Sequence, residues 1–330
     1  MRVLVTGGAG YIGSHLVDTL VAEGHDVWVV DNLSTGKRKN IEHLAGREAF
    51  HFVEGSILDG ALVARVAAGV EMVYHLAAVV GVKYVVENPG DCIRTNVLGT
   101  EVVLDQAWRN RARVLVVSSS EVYGKSMALP LREEDDSLFG ATTAPRWSYA
   151  LAKALDEHLA LDYARRGMAV SVVRYFNSYG PRLDAKGYGS VVARFITQAL
   201  GGEPLTVLDD GLQTRCFTYV EDTVRGTLLA GTLPQAVGQV LNIGSGHETS
   251  VLELARLVRD VTGSRSEIVH LPSREVYGES FEETRRRRPA VEKARDLLGF
   301  TAQVPLEEGL ARTVDWFRSN SRLDSQCEQG

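Results

Sequence analysis

Short apolar runs and helix-spaced patterns alternate through the first half of the chain. Arg2–Val5 is an apolar run that ends in Gly7-Gly8-Ala9-Gly10. Ser14–Glu23 then carries Leu16, Leu20 and Val21 at helical spacing. Asp26–Val30 is a second run, closed by Asp31. Ala49–Val53, Met72–Leu76, Val114–Ser118 and Val170–Arg174 read as further strands, and Thr95–Ala107 and Ser148–Arg165 as long helices. Apolar runs separated by helices predict crossover units and a parallel sheet. The right-handed crossover rule then leaves a doubly wound α/β fold. After Arg174 the pattern changes. Tyr175–Arg215 is richer in Gly and Pro and predicts one helix, near Val191–Leu200. Thr218–Gly231 and Val240–Ile243 return to strand-and-helix character and are expected to rejoin the first domain. Leu252–Val261 predicts a helix, followed by an irregular basic stretch to about Arg288. Val291–Leu298 and Leu306–Arg318 close the fold. The expected organisation is a larger domain of residues 1–174 with about 216–243. A smaller mixed α/β domain holds about 175–215 with 244–318, and 319–330 form a flexible tail.

Composition narrows the function classes. The chain has 330 residues, 45% hydrophobic and 24% charged, which is ordinary globular chemistry. Its 36 Lys and Arg against 42 Asp and Glu give a net charge of −6. That argues against a nucleic-acid or anionic-membrane partner, which would favour a basic chain. Cys92, Cys216 and Cys327 show neither metal-ligand spacing nor a disulfide framework, so no metal is expected. No run approaches ~18 apolar residues, so no membrane span is predicted. The first residues enter a strand directly and leave no room for a signal peptide, so a cytoplasmic location is expected.

Thr6-Gly7-Gly8-Ala9-Gly10-Tyr11-Ile12-Gly13 follows a predicted strand and opens a predicted helix. Gly7 allows the tight turn, Gly10 lets the backbone approach a pyrophosphate, and Gly13 lets helix and strand pack closely. Backbone N–H groups at the helix start favour phosphate charge. Asp31 ends the second strand about 20 residues on, where a carboxylate suits a ribose diol and repels a 2′-phosphate. The expected cofactor is therefore NAD rather than NADP. Asp31 taken alone reads equally as a turn cap.

Tyr149-Ala-Leu-Ala-Lys153 sets a phenol and an ammonium at i and i+4, on one helix face. A neighbouring cation lowers a tyrosine pKa from about 10, so the phenolate could take a proton from a substrate alcohol. A surface tyrosine beside a solvated lysine is the plain alternative. Upstream, a strand ends in Val117-Ser118-Ser119-Ser120-Glu121-Val122-Tyr123-Gly124. Serines at that end of a parallel strand sit where such sheets bind ligands.

Together these motifs resemble the extended short-chain dehydrogenase/reductases that act on nucleotide sugars. The resemblance runs from TGGAGYIGSHL through DNLSTG, HLAA, TNVLGT, SSSEVYG, YALAK, RYFNSYGPR, RCFTYVED and LNIGSG to PLEEGL. It implies a Rossmann domain, NAD, a nucleotide-diphosphate-sugar substrate and a homodimer built on Thr95–Ala107 and Ser148–Arg165. It implies Tyr149 as catalytic base and acid, Lys153 as its partner and Ser119 as the hydroxyl bonding the substrate alcohol. Asn96 organises the site, and Asn177 and Arg215 touch the diphosphate. The same resemblance puts Tyr11, Ile12, Asn32, Ser34, Thr35 and Gly36 around the cofactor. It adds Ile57, Leu76, Ala77, Ala78, Ser118 and Tyr175. Ser56 stands where the family usually has Asp at the adenine end.

Family members share oxidation of the C4 hydroxyl and then diverge to epimerisation, dehydration or decarboxylation. Glu121 is expected as a second acid/base at C5. Ser120, beside the substrate, stands where dehydratases carry Asp, which disfavours dehydration. UDP-apiose/xylose synthases carry Cys there, which disfavours ring contraction. UDP-glucuronate decarboxylases carry Ser-Glu, as here. The segment from Tyr277 to Pro289 also resembles that branch, with its arginine on Arg287, a substrate-side arginine on Arg194, and Pro145-Arg146-Trp147 before the tyrosine. Phe281 replaces the tyrosine expected in that segment. The plain alternative for Arg285–Arg288 is a solvated charge run. The N-terminal stretch through DNLSTG and the loop Val79–Lys83 instead resemble UDP-galactose 4-epimerases. Lys83 is a candidate for a sugar hydroxyl or carboxylate, or simply a surface lysine. The sequence reading ranks 4-epimerase narrowly ahead of decarboxylase, and both ahead of a non-catalytic NAD-binding module or a nucleic-acid binder using the arginine run.

Overall fold

The computed structural model describes residues 1–184, 190–277 and 284–327. Strands β1 (Arg2–Thr6), β2 (Asp26–Asp31), β3 (Phe50–Glu54), β4 (Met72–His75), β5 (Arg113–Ser119) and β6 (Val170–Tyr175) join Val240–Ile243 in one sheet. Its order is Val240–Ile243, β6, β5, β4, β1, β2, β3, and every pairing is parallel. The chain winds from β1 out to β3, then returns to β4 on the other side of β1. Such a switch point leaves a crevice beyond the carboxyl ends of the strands.

Alternation along the strands sets two apolar layers. Val3 and Val5 of β1 pack with Leu16, Val17 and Leu20 of α1 (Tyr11–Ala22). Leu4 faces the opposite layer, with Leu62, Val63 and Val66 of α2 (Gly60–Ala67). Asp59 starts α2 by accepting from the N–H groups of Ala61 and Leu62, both at 3.0 Å, which satisfies two of the helix's unpaired donors.

The expected helix Thr95–Ala107 is not one regular element. After α3 (Val82–Glu87), the chain runs through α4 (Pro89–Ile93), a π turn at Arg94–Leu98, and α5 (Gly99–Arg109). A π turn adds a residue within a helix and often marks a functional site. Here it carries Asn96. Close packing also enters at Gly99, where a Cβ would lie 2.3 Å from Ile57 Cδ1. The helix α6 (Ser148–Arg165) matches the expected range.

The smaller C-terminal region is mixed α/β. A helix at Val191–Gly201 precedes Leu205–Leu208, which pairs with Ile268–Leu271. Thr214–Arg215 lies between Thr249–Ser250 and Arg286–Arg287 in a three-stranded sheet. The stretch after the Val251–Thr262 helix is thus more ordered than expected, with a strand and the short helix Ser273–Tyr277. The last helix runs from Leu306 to Cys327, into the segment expected as a tail. Phe281 lies outside the described residues. No helix among them is long and apolar enough to cross a membrane.

Candidate active site

A cavity of about 390 Å³ opens at the carboxyl ends of β1, β4 and β5. The glycine turn forms one wall. Gly7 has a positive φ of 73°, and a Cβ there would lie 2.7 Å from Ala77 N. A Cβ on Gly13 would lie 2.2 Å from the Gly7 carbonyl oxygen. Side chains at these positions would therefore close the turn, and their absence leaves backbone N–H groups beside the cavity. Tyr11 and Ile12 line it with them.

Asp31 ends β2 and is 8% exposed. Its Oδ1 accepts from Leu33 N at 2.8 Å and its Oδ2 from Ala9 N at 3.0 Å. Burial pushes its pKa up, and those N–H bonds oppose the rise. Asp31 is thus both a turn cap and a cavity residue. Asn32, Ser34, Thr35, Ser56 and Ile57 continue this end of the cavity. Gly36 does not line it, but a Cβ there would come within 2.7 Å of Asp31 Oδ2. Ser56 Oγ accepts from Leu58 N at 3.2 Å, so it serves its own turn. Glycine cradle, an acid on the cavity wall and open walls fit a dinucleotide.

Leu76, Ala77, Ala78, Ser118 and Tyr175 also line the cavity. Two of their hydroxyls are spent elsewhere. Ser118 donates to Glu157 Oε1 at 2.5 Å, and the Tyr175 hydroxyl pairs with Thr227 Oγ1 at 2.6 Å. Asn96 is fully buried and off the cavity wall. Its Oδ1 accepts from Val79 N at 2.7 Å and its Nδ2 donates to Val79 O at 3.2 Å. The π turn thereby fixes the loop after β4, where Val79 and Val80 form wall.

Past the switch point from Asp31, Ser119, Ser120, Glu121, Tyr149, Lys153, Asn177 and Arg287 meet on the same cavity. The Ser119 hydroxyl faces the Tyr149 phenol across the cavity. Burial raises the phenol's pKa, the Glu121 charge raises it further, and the Ser119 hydroxyl lowers it. The net direction is up, against the expected cationic lowering, and the Lys153 ammonium donates to Asp156 Oδ2 at 2.9 Å.

Glu121 is held between two guanidinium groups. Arg287 Nη1 lies 2.7 Å from its Oε1, and Arg146 Nη1 lies 3.0 Å from its Oε2. Burial alone would push the carboxyl up, but Arg287 and Arg146 outweigh it and hold the pKa at about 2. A carboxyl so held is ionised at neutral pH. Arg287 reaches it from a distant segment by β geometry: Arg286 points out to Glu248 at 2.5 Å, and Arg287 turns inward and is 6% exposed. Arg285 pairs with Asp210 at 2.8 Å. The run is a surface ion-pair row with one inward member.

Asn177 lies at φ 36°, and its buried Oδ1 has no hydrogen-bond partner, an acceptor open to a ligand. Arg215, Arg194 and Lys83 do not line the cavity. Arg215 is the direct β neighbour of Arg287 and donates to Thr214 O at 2.7 Å. Arg194 donates to Thr206 O at 3.2 Å and stacks over Phe195. Lys83 is exposed on α3. Sequence reasoning missed Arg146 as the second clamp on Glu121, and Asp156 behind Lys153. The i+3 spacing of Asp156 from Lys153 was the available signal for the latter.

The comparisons agree with this geometry. Residues 3–244 match the NAD dependent epimerase/dehydratase family. The chain is 45% identical over 318 residues to the UDP-N-acetyl-alpha-D-glucosaminuronate decarboxylase of Bacillus cytotoxicus, covering 96% of this chain and 98% of that one. It is 39% identical to UDP-glucuronic acid decarboxylase 1 of Xenopus tropicalis, covering 96% of this chain and 72% of the relative. Among solved structures, the UDP-glucose 4-epimerase of Thermotoga maritima with UDP-glucose superposes with a TM-score of 0.88 at 35% identity, covering 97% of this chain and 100% of that one. With its glycine cradle, switch-point cavity and tyrosine–lysine pair, this chain belongs to the NAD-dependent epimerase/dehydratase family of nucleotide-sugar enzymes.

Proposed function

We propose that the chain is an NAD-dependent decarboxylase of UDP-linked uronic acid sugars. The observation that carries this reading is the inward Arg287, ion-paired with Glu121 beside Tyr149 and Ser119. A guanidinium fork matches a carboxylate in shape and charge, and the relatives in Bacillus cytotoxicus and Xenopus tropicalis bear decarboxylase names. The reading reverses the narrow preference for epimerase drawn from the N-terminal motifs.

The residues divide the work as follows. Gly7, Gly10 and Gly13 with Asp31 hold the dinucleotide, and bound NAD supplies the hydride acceptor at C4. Tyr149 takes the C4 hydroxyl proton, with Ser119 orienting that oxygen. Lys153 is the cation nearest the phenol on its helix. A ketone at C4 stands β to the C6 carboxylate of a uronic sugar. The C5–C6 bond then breaks with its electron pair moving into a C4–C5 enolate, and carbon dioxide leaves. A solvent-derived proton adds at C5. Glu121, ionised and pinned, orients Arg287 at the site of that carboxylate. Asn177 offers its open acceptor to the substrate.

The test is product analysis in heavy water with UDP-glucuronate, UDP-N-acetylglucosaminuronate and neutral UDP-hexoses. The expected product has lost carbon dioxide and carries one solvent deuterium at C5. A product of unchanged mass and altered retention would replace the reading with 4-epimerisation. The Val79–Lys83 loop and the Thermotoga maritima likeness favour that second reading. The protein is further proposed to work as a homodimer through α5 and α6, next to which Leu98 and on which Leu155 stand 48% and 49% exposed.

A further inference from the structure

Three consecutive arginines meet carboxylates in two different ways. Arg285 closes both Nη atoms on Asp210, at 2.9 and 2.8 Å, and Arg286 closes Nε and Nη2 on Glu248. Such two-pronged pairs use up the guanidinium fork. Arg287 differs. It gives Glu121 Oε1 a single nitrogen, Nη1, at 2.7 Å, and no hydrogen bond engages its Nε or Nη2 among the described residues. The reason lies on Glu121, whose second oxygen, Oε2, is taken by Arg146 Nη1 at 3.0 Å. Arg146 comes from a separate element, the single turn Pro145–Trp147 before α6, and does not line the cavity. It is buried, with its guanidinium 4.9 Å from the centre of the Trp147 ring.

We propose that Arg146 is a positioning residue that sets specificity: by holding one oxygen of Glu121, it keeps the Arg287 fork open for a carboxylate on the substrate. A buried carboxylate that loses one partner turns to the donors it has left, because an unpaired charge there is costly. Without Arg146, both oxygens of Glu121 would close on Arg287, as Asp210 and Glu248 close on its neighbours. The cavity would then keep its arginine and lose the prongs that recognise an acidic sugar. The single contact at Oε2 needs a charge rather than a fork, so Arg146→Lys preserves it where Arg287→Lys does not preserve the fork.

The inference deepens the uronic-sugar reading and rests on it. The experiment is calorimetric titration of UDP-glucuronate and UDP-glucose into NAD-loaded Tyr149→Phe protein, which lacks the proton acceptor and so isolates binding. Adding Arg146→Gln is expected to weaken UDP-glucuronate by about tenfold and to leave UDP-glucose within about twofold. Arg146→Lys should keep most of the preference for the acidic ligand. A merely structural role would weaken both ligands together. Equal weakening of the two, or no weakening of UDP-glucuronate, in the Arg146→Gln protein overturns the inference. So does a preference lost in a folded Arg146→Lys protein. Should Tyr149→Phe alone bind UDP-glucose as tightly as UDP-glucuronate, the uronic-sugar reading fails instead, and the two failures are told apart.

Discussion

Tyr149 and Glu121 sit on one cavity and carry opposite shifts from the same burial. The phenol faces the Ser119 hydroxyl and the Glu121 charge, and desolvation keeps it protonated. The carboxyl has two guanidinium partners, so pairing outweighs desolvation. Tyr149→Phe removes the proton acceptor and leaves the glycine turn intact. Turnover is expected to fall by about 10²–10⁴-fold while NAD affinity stays within about threefold. Stopped turnover assays and calorimetric NAD titration check both halves. Glu121 also links stability to acid. Its folded pKa, about 2, is depressed from an ordinary 4.5. The stabilisation is fully present above the ordinary value and is lost as pH falls through about 2. It amounts to about 3 kcal/mol at neutral pH. Denaturant melts of parent and Glu121→Gln should differ most at neutral pH and converge in acid. A constant gap across pH would show that the clamp is not an ionised pair. Arg287→Lys keeps the charge and loses the fork. It should cost about tenfold or more in kcat/KM on a uronic sugar nucleotide, read by steady-state kinetics.

At the scale of elements, the parallel sheet, the glycine turn and α6 were legible because each has a local cause. Apolar runs of strand length, a glycine spacing and a tyrosine–lysine pair one turn apart are written in contiguous residues. Less legible were features made by contacts between distant segments. The π turn at Arg94–Leu98 depends on Asn96 reaching Val79, which no periodicity reports. The strand Arg286–Arg287 exists because Thr214–Arg215 is there to pair with it. An arginine run reads as solvated until that pairing turns one member inward. Arg146 was visible only as part of a likeness, because its partner Glu121 lies in another element. The glycine turn gives a sharp test of the legible part. In Gly13→Ala the new Cβ would meet the Gly7 carbonyl oxygen at 2.2 Å, a backbone contact that no rotamer relieves. The turn must open, so NAD affinity should fall by about 10²-fold or more, with a cost of about 1–3 kcal/mol in stability. Calorimetric titration and thermal melts would measure the two. Unchanged NAD binding would mean that the cradle is not the cofactor site.

Viewed as a whole molecule, α6 buries charged side chains among its alanines. Its buried face carries Lys153, Asp156 and Glu157, and Glu157 is tied to Arg174 at 2.7 Å and to Ser118. Leu155 stands on the other face and is 49% exposed, between a part-buried Leu151 and Leu159, which packs on the core. A helix that buries charge and shows leucine is poorly explained by the monomer's core alone. Leu98, 48% exposed just before α5, extends the apolar surface. A second copy placed by a two-fold axis would cover both, since a symmetric interface uses the same patch twice. A stable interface needs about 1,200 Å² or more in total, so a charge at its centre should break it. Leu155→Asp is expected to halve the mass seen by light scattering at micromolar protein. Tyr149 and Lys153 lie on the opposite face of the same helix, so NAD binding should persist in the separated subunit. A parent protein already monomeric at that concentration would remove the interface. A Leu155→Asp dimer would place it on another face. Loss of NAD binding along with the dimer would show that the pairing of α6 across the axis helps to hold the catalytic face in shape.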